Sequence, residues 1–262
     1  MSTRYDCADT AQREEGLGAA VIAVQQGELV VLPTDTVYGV AADAFTPAAV
    51  SALLAAKGHG RNVPPAVLVG SVRAAAALTE SLGAFGQDLI DEFWPGPLTL
   101  VFRSSPTLIW DLGDTRGTVA VRMPLHPVAL DLLRRTGPMA VSSASLHGQP
   151  AATTAAEAMD QFGESASVYL DGGTCADSVT STILDLTGTV PRMLRAGAIA
   201  IDDLRKVVPV IDLPDPVDTP PESPADRRAR EAIAAANAAA PPAEPEPPAE
   251  PEPSAPDLAQ GD

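Results

Sequence analysis

Several kinds of chemistry find little to work with in this chain. Only two cysteines, Cys7 and Cys175, and three scattered histidines, His59, His126 and His147, occur in 262 residues. They make neither a disulfide framework nor a metal site, so no metal ligands are assigned and a reducing compartment is expected. No apolar run approaches the roughly twenty residues that cross a bilayer, and no cleavable leader is apparent; a cytoplasmic chain without a membrane partner is expected. Cations are scarce as well. The net charge is −17, which disfavours a phosphate-backbone binder, because non-specific nucleic-acid affinity needs clustered Lys and Arg. There is no G-x-S-x-G elbow and no G-x-x-x-x-G-K-[ST] phosphate loop, and no carboxylates are paired at a spacing useful for acid–base hydrolysis.

What the chain does have divides at about residue 211. Of its 26 prolines, 13 fall in residues 212–262, a segment almost free of aromatic and branched apolar residues. Such text buries too little apolar surface to offset its ordering entropy, and a disordered acidic Pro/Glu/Ala-rich tail is expected. Residues 1–211 hold 14 basic and 22 acidic side chains, a net −8, and the tail holds 3 and 12, a net −9. Residues 1–211 form the expected single folded domain.

Within that domain helical and strand patterns are interleaved. Helices are expected at 10–26 with Thr10 as cap, and at 47–57 with Thr46 as cap, Pro47 at the first turn and Gly58 as stop. Others are expected at 71–82, 86–93, 127–135 and 154–162. β-branched runs predict strands at 28–33, 65–70, 97–103, 118–124, 139–144, 167–171 and 181–188. Strands and helices alternate in places, while elsewhere strands follow one another, so the expectation is an α/β domain with one twisted, mixed parallel and antiparallel sheet and flanking helices.

Four of the strands run out of apolar residues into hydroxyls or an arginine: "VVLPTDT", "TVAVRMP", "MAVSSAS" and "VTSTILD". Ligands of open α/β sheets sit beyond strand ends, and with Lys57, Arg61, Arg122 and Arg195 this set has the character of an anion pocket. Each member also has a structural reading. Thr34 and Thr36 suit a turn, Lys57 suits a helix C-terminus, and Arg122, ending an apolar strand at a proline, could snorkel out instead of facing a cleft. The three histidines read as surface or loop residues and Arg116 as solvated. Asp35 and Asp185 could hold a cation or order a loop.

Six ordered motifs then carry a resemblance. "LPTDTVYGV" with "AAKGHGRN", "FWPGPLTLVF", "VAVRMPLHP", "VSSASLHG", "STILDLTG" and "LRAG" resemble the YrdC-domain family patterns P-T-[ED]-T-x-Y-G with K-x-R, W-P-G-P-[LV]-T, V-R-x-P, S-[ST]-A-N-x-S-G, S-T-[IV]-[VL]-D and R-x-G. The resemblance covers residues 32–197 and implies a YrdC-like domain. It also implies synthesis of L-threonylcarbamoyl-adenylate from L-threonine, bicarbonate and ATP with Mg²⁺, releasing pyrophosphate. A tRNA threonylcarbamoyl-transferase complex would receive the product and modify adenosine 37.

Carried over residue by residue, the resemblance implies threonine contacts at Thr36, Arg122, Ser143 and Ser181. ATP contacts are implied at Lys57, His59, Thr118, Ser145, Thr153 and Arg195, with Lys57, Arg122 and Ser181 closest to the chemistry. The pattern departs at His59, where the family has arginine, at Ser145, where it has asparagine, at His147 and at Ala196. Arg61, two residues beyond His59, is expected to serve ATP in place of the lost cation. A second class of function stays open: a non-synthesising paralogue that binds nucleotide or RNA through a concave basic pocket. A carbamoyl-adenylate former for another acceptor, as in hydrogenase maturation, is disfavoured because those relatives carry extra domains and zinc motifs absent here.

Overall fold

The computed structural model describes residues 2–146, 148–175 and 178–212. His147 and the tail from residue 213 lie outside the described residues, so the readings of both stay as expectations. The elements, in chain order, are β1 (Thr3–Asp6), α1 (Thr10–Gln25), β2 (Val30–Leu32), β3 (Gly39–Asp43), α2 (Pro47–Ala56), β4 (Ala66–Leu68), α3 (Val72–Leu78), α4 (Gly83–Phe93), β5 (Leu98–Arg103), β6 (Thr118–Arg122), α5 (Pro127–Thr136), β7 (Met139–Ser143), α6 (Ala155–Phe162), β8 (Val168–Asp171), β9 (Thr182–Asp185), β10 (Arg192–Arg195) and α7 (Ile201–Arg205).

All ten strands join one sheet in the order β1-β8-β2-β3-β7-β4-β6-β5-β9-β10. β1–β8, β8–β2, β4–β6 and β5–β9 are parallel and the other pairs antiparallel, so the sheet is mixed as expected. Side chains alternate between the two faces of a strand. Val30 and Leu32 of β2 accordingly join Leu17, Ala20 and Val24 of α1 and Leu132 of α5 on one face. Val31 turns the other way, toward a second cluster built from α2, α3, α4 and α6.

Local chemistry sets most helix ends. Asp9, rather than the expected Thr10, caps α1, accepting from the Gln12 backbone N–H at 2.8 Å. Its carboxylate reaches an orphan N–H of the first turn. α2 starts at Pro47 and stops at Gly58, whose φ of +64° glycine adopts at little cost. Thr154 and Glu157 close a capping box on α6. α3 ends at Leu78, short of the expected 82, because Thr79 pairs with Ser104 in a β-bridge.

Three strands were not expected. β1 and β10 are polar edge strands, and β3 is the Gly- and Ala-containing "GVAAD", whose residues have low strand propensity but pair on both sides within the sheet.

Candidate active site

A cavity of about 350 Å³ lies on the sheet face that α1 and α5 cover elsewhere. Leu68 and Val141 belong both to the α1/α5 cluster and to the cavity wall. Its floor is made of alternate positions: Ala66 and Leu68 of β4, Ala120 and Arg122 of β6, and Val141 and Ser143 of β7. The polar residues are thus brought together across a sheet face, not in a crevice beyond strand ends, and the alternation of strand side chains is the physical reason.

Arg122 is held on three sides in this cavity. It is 6% exposed, and its Nε donates to the Gly96 carbonyl at 3.0 Å, its Nη1 to Thr36 Oγ1 at 3.0 Å and its Nη2 to Asp35 Oδ1 at 2.7 Å. Three of the five guanidinium donors are thereby spent on fixing the plane, which leaves two for a ligand. Burial pushes the guanidinium below its ordinary value, and Asp35 acts against that shift. Asp35 is fixed in turn by the Leu125 backbone N–H, which donates to the same Oδ1 at 2.8 Å.

The turn after β2 performs two jobs. Thr34 Oγ1 donates to the Val37 carbonyl at 2.6 Å and accepts from the Thr36 N–H at 3.2 Å, the hydroxyl turn that its sequence suits. The same turn sets Thr34 and Thr36 into the cavity wall.

On the opposite side, Ser181 Oγ lies 2.8 Å from Thr99 Oγ1 and accepts from Arg195 Nη2 at 3.0 Å, while Arg195 Nε donates to the Ser181 carbonyl at 3.0 Å. The outer part of Arg195 reaches solvent, yet desolvation of its inner part and the charge of Arg122 both push it below its ordinary value. Gly197 permits this arrangement. A Cβ there would sit 2.4 Å from the Ser181 carbonyl carbon, so only glycine lets the β10 end lie against residues 180–182.

Lys57, just past α2, is 2% exposed, and its Nζ donates to the Ser143 carbonyl at 2.7 Å, to Ser145 Oγ at 3.1 Å and to the Ser145 carbonyl. Burial pushes the ammonium down to about 8. A cation is thus held at the cavity wall by neutral oxygens alone, which leaves its charge uncompensated by any carboxylate bonded to it. His59, two residues on, also lines the cavity.

Of the residues singled out in the sequence, the structure brings Thr36, Lys57, His59, Arg122, Ser143, Ser181 and Arg195 to the cavity. Ser145 stands behind Lys57. Thr118 lies on the same face of β6 as Ala120 and Arg122 but outside the cavity wall, its hydroxyl donating to the Thr115 carbonyl at 2.8 Å. Thr153 is also outside and donates to Glu157 at 3.0 Å. Arg61 is not brought in. Its guanidinium grips Asp111 with two hydrogen bonds of 2.9 and 2.8 Å and lies 3.4 Å from Asp114, because the loop of residues 108–117 supplies the acids that the cavity lacks. The cavity also takes in Thr99, which ends the W-P-G-P-[LV]-T motif, and Ser142 and Thr180 of the hydroxyl-bearing stretches "MAVSSAS" and "VTSTILD", to none of which the sequence alone assigns a contact.

Among the described residues no group of three or more His, Cys, Asp or Glu side chains could hold a metal ion, and Asp185 is spent on Thr187. No described helix is long and apolar enough to cross a membrane.

A cavity walled by Lys57, Arg122 and Arg195 and by several hydroxyls, on a mixed α/β sheet, has the character of an anion-binding pocket. The chain belongs to the Sua5/YciO/YrdC family, whose model, described as "Telomere recombination", matches residues 23–197. It is 51% identical over 210 residues to a Mycobacterium tuberculosis (strain ATCC 25618 / H37Rv) protein named "Putative threonylcarbamoyl-AMP synthase", covering 80% of this chain and 97% of that one. It is 35% identical over 186 residues to the threonylcarbamoyl-AMP synthase of Pyrococcus abyssi (strain GE5 / Orsay), covering 71% of this chain and 55% of that longer protein. The solved structure of P. abyssi Sua5 complexed with L-threonine superposes with a TM-score of 0.73 at 31% identity, over 80% of this chain and 62% of that one.

Proposed function

We propose that this chain is a threonylcarbamoyl-AMP synthase, which joins L-threonine, bicarbonate and ATP into L-threonylcarbamoyl-AMP and releases pyrophosphate. The observation that carries the reading is Arg122, whose guanidinium is fixed by Gly96, Thr36 and Asp35 with two donors to spare. A planar fork held in one orientation matches the carboxylate of an amino acid bidentately. The names of the relatives and the threonine complex of P. abyssi Sua5 support it.

In this reading threonine lies against Arg122, Thr36 and the Thr99–Ser181 pair, whose hydroxyls both donate and accept and so match its hydroxyl and the oxygens of the carbamate. The amine of threonine and bicarbonate give a carbamate, with loss of water. Its oxygen attacks the α-phosphorus of ATP, and pyrophosphate leaves. The protein needs no nucleophile of its own. Its contribution is to hold the two reactants in line and to stabilise charge on the phosphates through Lys57 and Arg195. His59 lines the same wall. The row Arg122, Ala120, Thr118 along β6 gives the nucleotide a path out of the cavity toward Thr118.

Mg²⁺ enters as the companion of ATP, bound to phosphate oxygens and water, which is how this ion is commonly held. The labile product passes to a tRNA threonylcarbamoyl-transferase complex. RNA contact by this chain is secondary, since the net charge is −17 and cations are few.

The test is incorporation of labelled bicarbonate. Incubation with ATP, Mg²⁺ and threonine should give one labelled nucleotide with the mass of threonylcarbamoyl-AMP. Tight ATP binding with no labelled product would favour the paralogue that binds nucleotide without synthesis.

A further inference from the structure

Leu98 and Leu100 of β5 are buried in the main core, and Thr99 between them turns the other way, to the cavity, where it is 3% exposed. A hydroxyl buried in a strand costs stability unless it is hydrogen-bonded. Among the described residues the Thr99 hydroxyl has one partner, Ser181 Oγ at 2.8 Å, and Ser181 is itself buried.

The protons of this pair can be counted. Two hydroxyls bring two protons and four lone pairs. Their mutual bond uses one of each, and Arg195 Nη2, donating to Ser181 Oγ at 3.0 Å, takes a second lone pair. One proton and two lone pairs remain, and no acceptor among the described residues takes that proton. The buried hydroxyls nearby are closed by comparison. Thr182 Oγ1 donates to the Ile199 carbonyl at 2.9 Å and accepts the Ile199 N–H at 2.9 Å. Thr34 gives its proton to the Val37 carbonyl, so in its 3.0 Å contact with Thr36 Oγ1 the donor is Thr36.

We propose that Thr99 is a positioning residue for bicarbonate: by donating to Ser181 Oγ, it turns the one remaining hydroxyl proton of the pair toward the substrate. The inference deepens the synthase reading above and rests on it for the identity of that substrate. With Arg195 and Thr99 filling both lone pairs of Ser181, the Ser181 proton points to the occupant of the cavity, and the lone pairs of Thr99 stay open. One donor beside two acceptors matches HCO₃⁻, which carries one O–H together with oxygens that accept. A carboxylate, which only accepts, would leave the lone pairs of Thr99 unmet, and CO₂ has no proton for them. Arg195 adds the positive charge an anion needs, and it grips Ser181 by carbonyl and hydroxyl together, so the pair keeps one orientation.

Thr99→Val keeps the shape of the side chain and removes the hydroxyl, whereas Thr99→Ser keeps the hydroxyl. With pyrophosphate release followed in carbon-dioxide-free buffer at varied bicarbonate, Thr99→Val should raise the KM for bicarbonate about tenfold, the worth of one hydrogen bond to a charged group. The KM values for threonine and ATP and the kcat should change much less, and Thr99→Ser should recover most of the loss. A second arm needs no turnover. The ¹³C signal of labelled bicarbonate, with threonine and α,β-methylene-ATP present, should broaden on addition of the wild type or Thr99→Ser and far less on addition of Thr99→Val. Equal bicarbonate KM values in the wild type and Thr99→Val would overturn the proposal, as would an equal rise in the Val and Ser variants or a wild type that leaves the signal sharp. Broadening in the expected order without any pyrophosphate release would uphold the role of Thr99 and place the failure in the synthase reading.

Discussion

Arg122 Nη1 stands 3.0 Å from Thr36 Oγ1 although 86 residues separate them in the chain. This bond joins the last residue of β6 to the turn after β2, and it orients a guanidinium that keeps two donors for a ligand. Replacing Arg122 with lysine keeps a charge but loses the fork and the tie to Thr36. The KM for threonine should rise about 10- to 100-fold, the worth of one to two charge-assisted hydrogen bonds, with a much smaller change in the KM for ATP. Steady-state kinetics with each substrate varied in turn checks this.

Lys57 gives the site a pH dependence. Its folded value near 8 is below the ordinary lysine value of 10.5 because burial disfavours the charged form. The cation is therefore present below about pH 8 and lost as pH rises through it, so the KM for ATP should climb above pH 8. The stability effect has the opposite sense. The unfolded chain binds the Lys57 proton more tightly than the folded one, so this group adds stability as pH rises from about 8 toward 10.5. Lys57→Met should flatten the alkaline limb of the ATP profile, read as KM against pH from 7 to 9.5.

The bidentate pair of Arg61 with Asp111 ties the loop that carries His59 and Val63 to the loop of residues 108–117. The backbone joins in, with the Asp114 N–H donating to the Arg61 carbonyl at 2.8 Å. If the tie is what matters, Arg61→Ala and Asp111→Asn should raise the KM for ATP by similar, few-fold factors and speed amide exchange over residues 58–64. A direct ATP contact by Arg61 would instead make Arg61→Ala costly and Asp111→Asn silent.

His59 and Ser145 mark where this chain departs from the motifs it resembles, on the side of the cavity proposed for ATP, and Ser145 Oγ already accepts from Lys57 at 3.1 Å. Asparagine at 145 can keep that acceptor and add a donor, and arginine at 59 adds a fixed cation. The double variant His59→Arg/Ser145→Asn should bind ATP several-fold tighter by calorimetry. An unchanged affinity would show that neither position meets the nucleotide.

Much of the fold was legible because apolar periodicity and end signals coincide, as at Thr46, Pro47 and Gly58 around α2. β3 was not, since "GVAAD" is a strand through pairing with β2 and β7 and not through its own propensity. The site divides in the same way. Thr36, Lys57, Arg122, Ser143, Ser181 and Arg195 announce themselves as polar residues at the margins of apolar runs. Thr99 shows only as the end of the W-P-G-P-[LV]-T motif, and nothing in that motif marks its contact with Ser181, 82 residues away. Arg61 misled the sequence reading for a related reason: the acids that hold it lie 50 and 53 residues downstream. Where the cavity lies also needed the sheet, because strand order and register decide which alternate residues share a face.

If three substrates react together in the cavity around Arg122, pyrophosphate release must depend on all of them. Pyrophosphate release by the purified chain, followed with ATP and Mg²⁺ while threonine and bicarbonate are each omitted in turn, tests it most directly. Release should require both and should be abolished by Arg122→Ala. Release that persists without threonine or without bicarbonate, or none when all are present and ATP is bound, would contradict it.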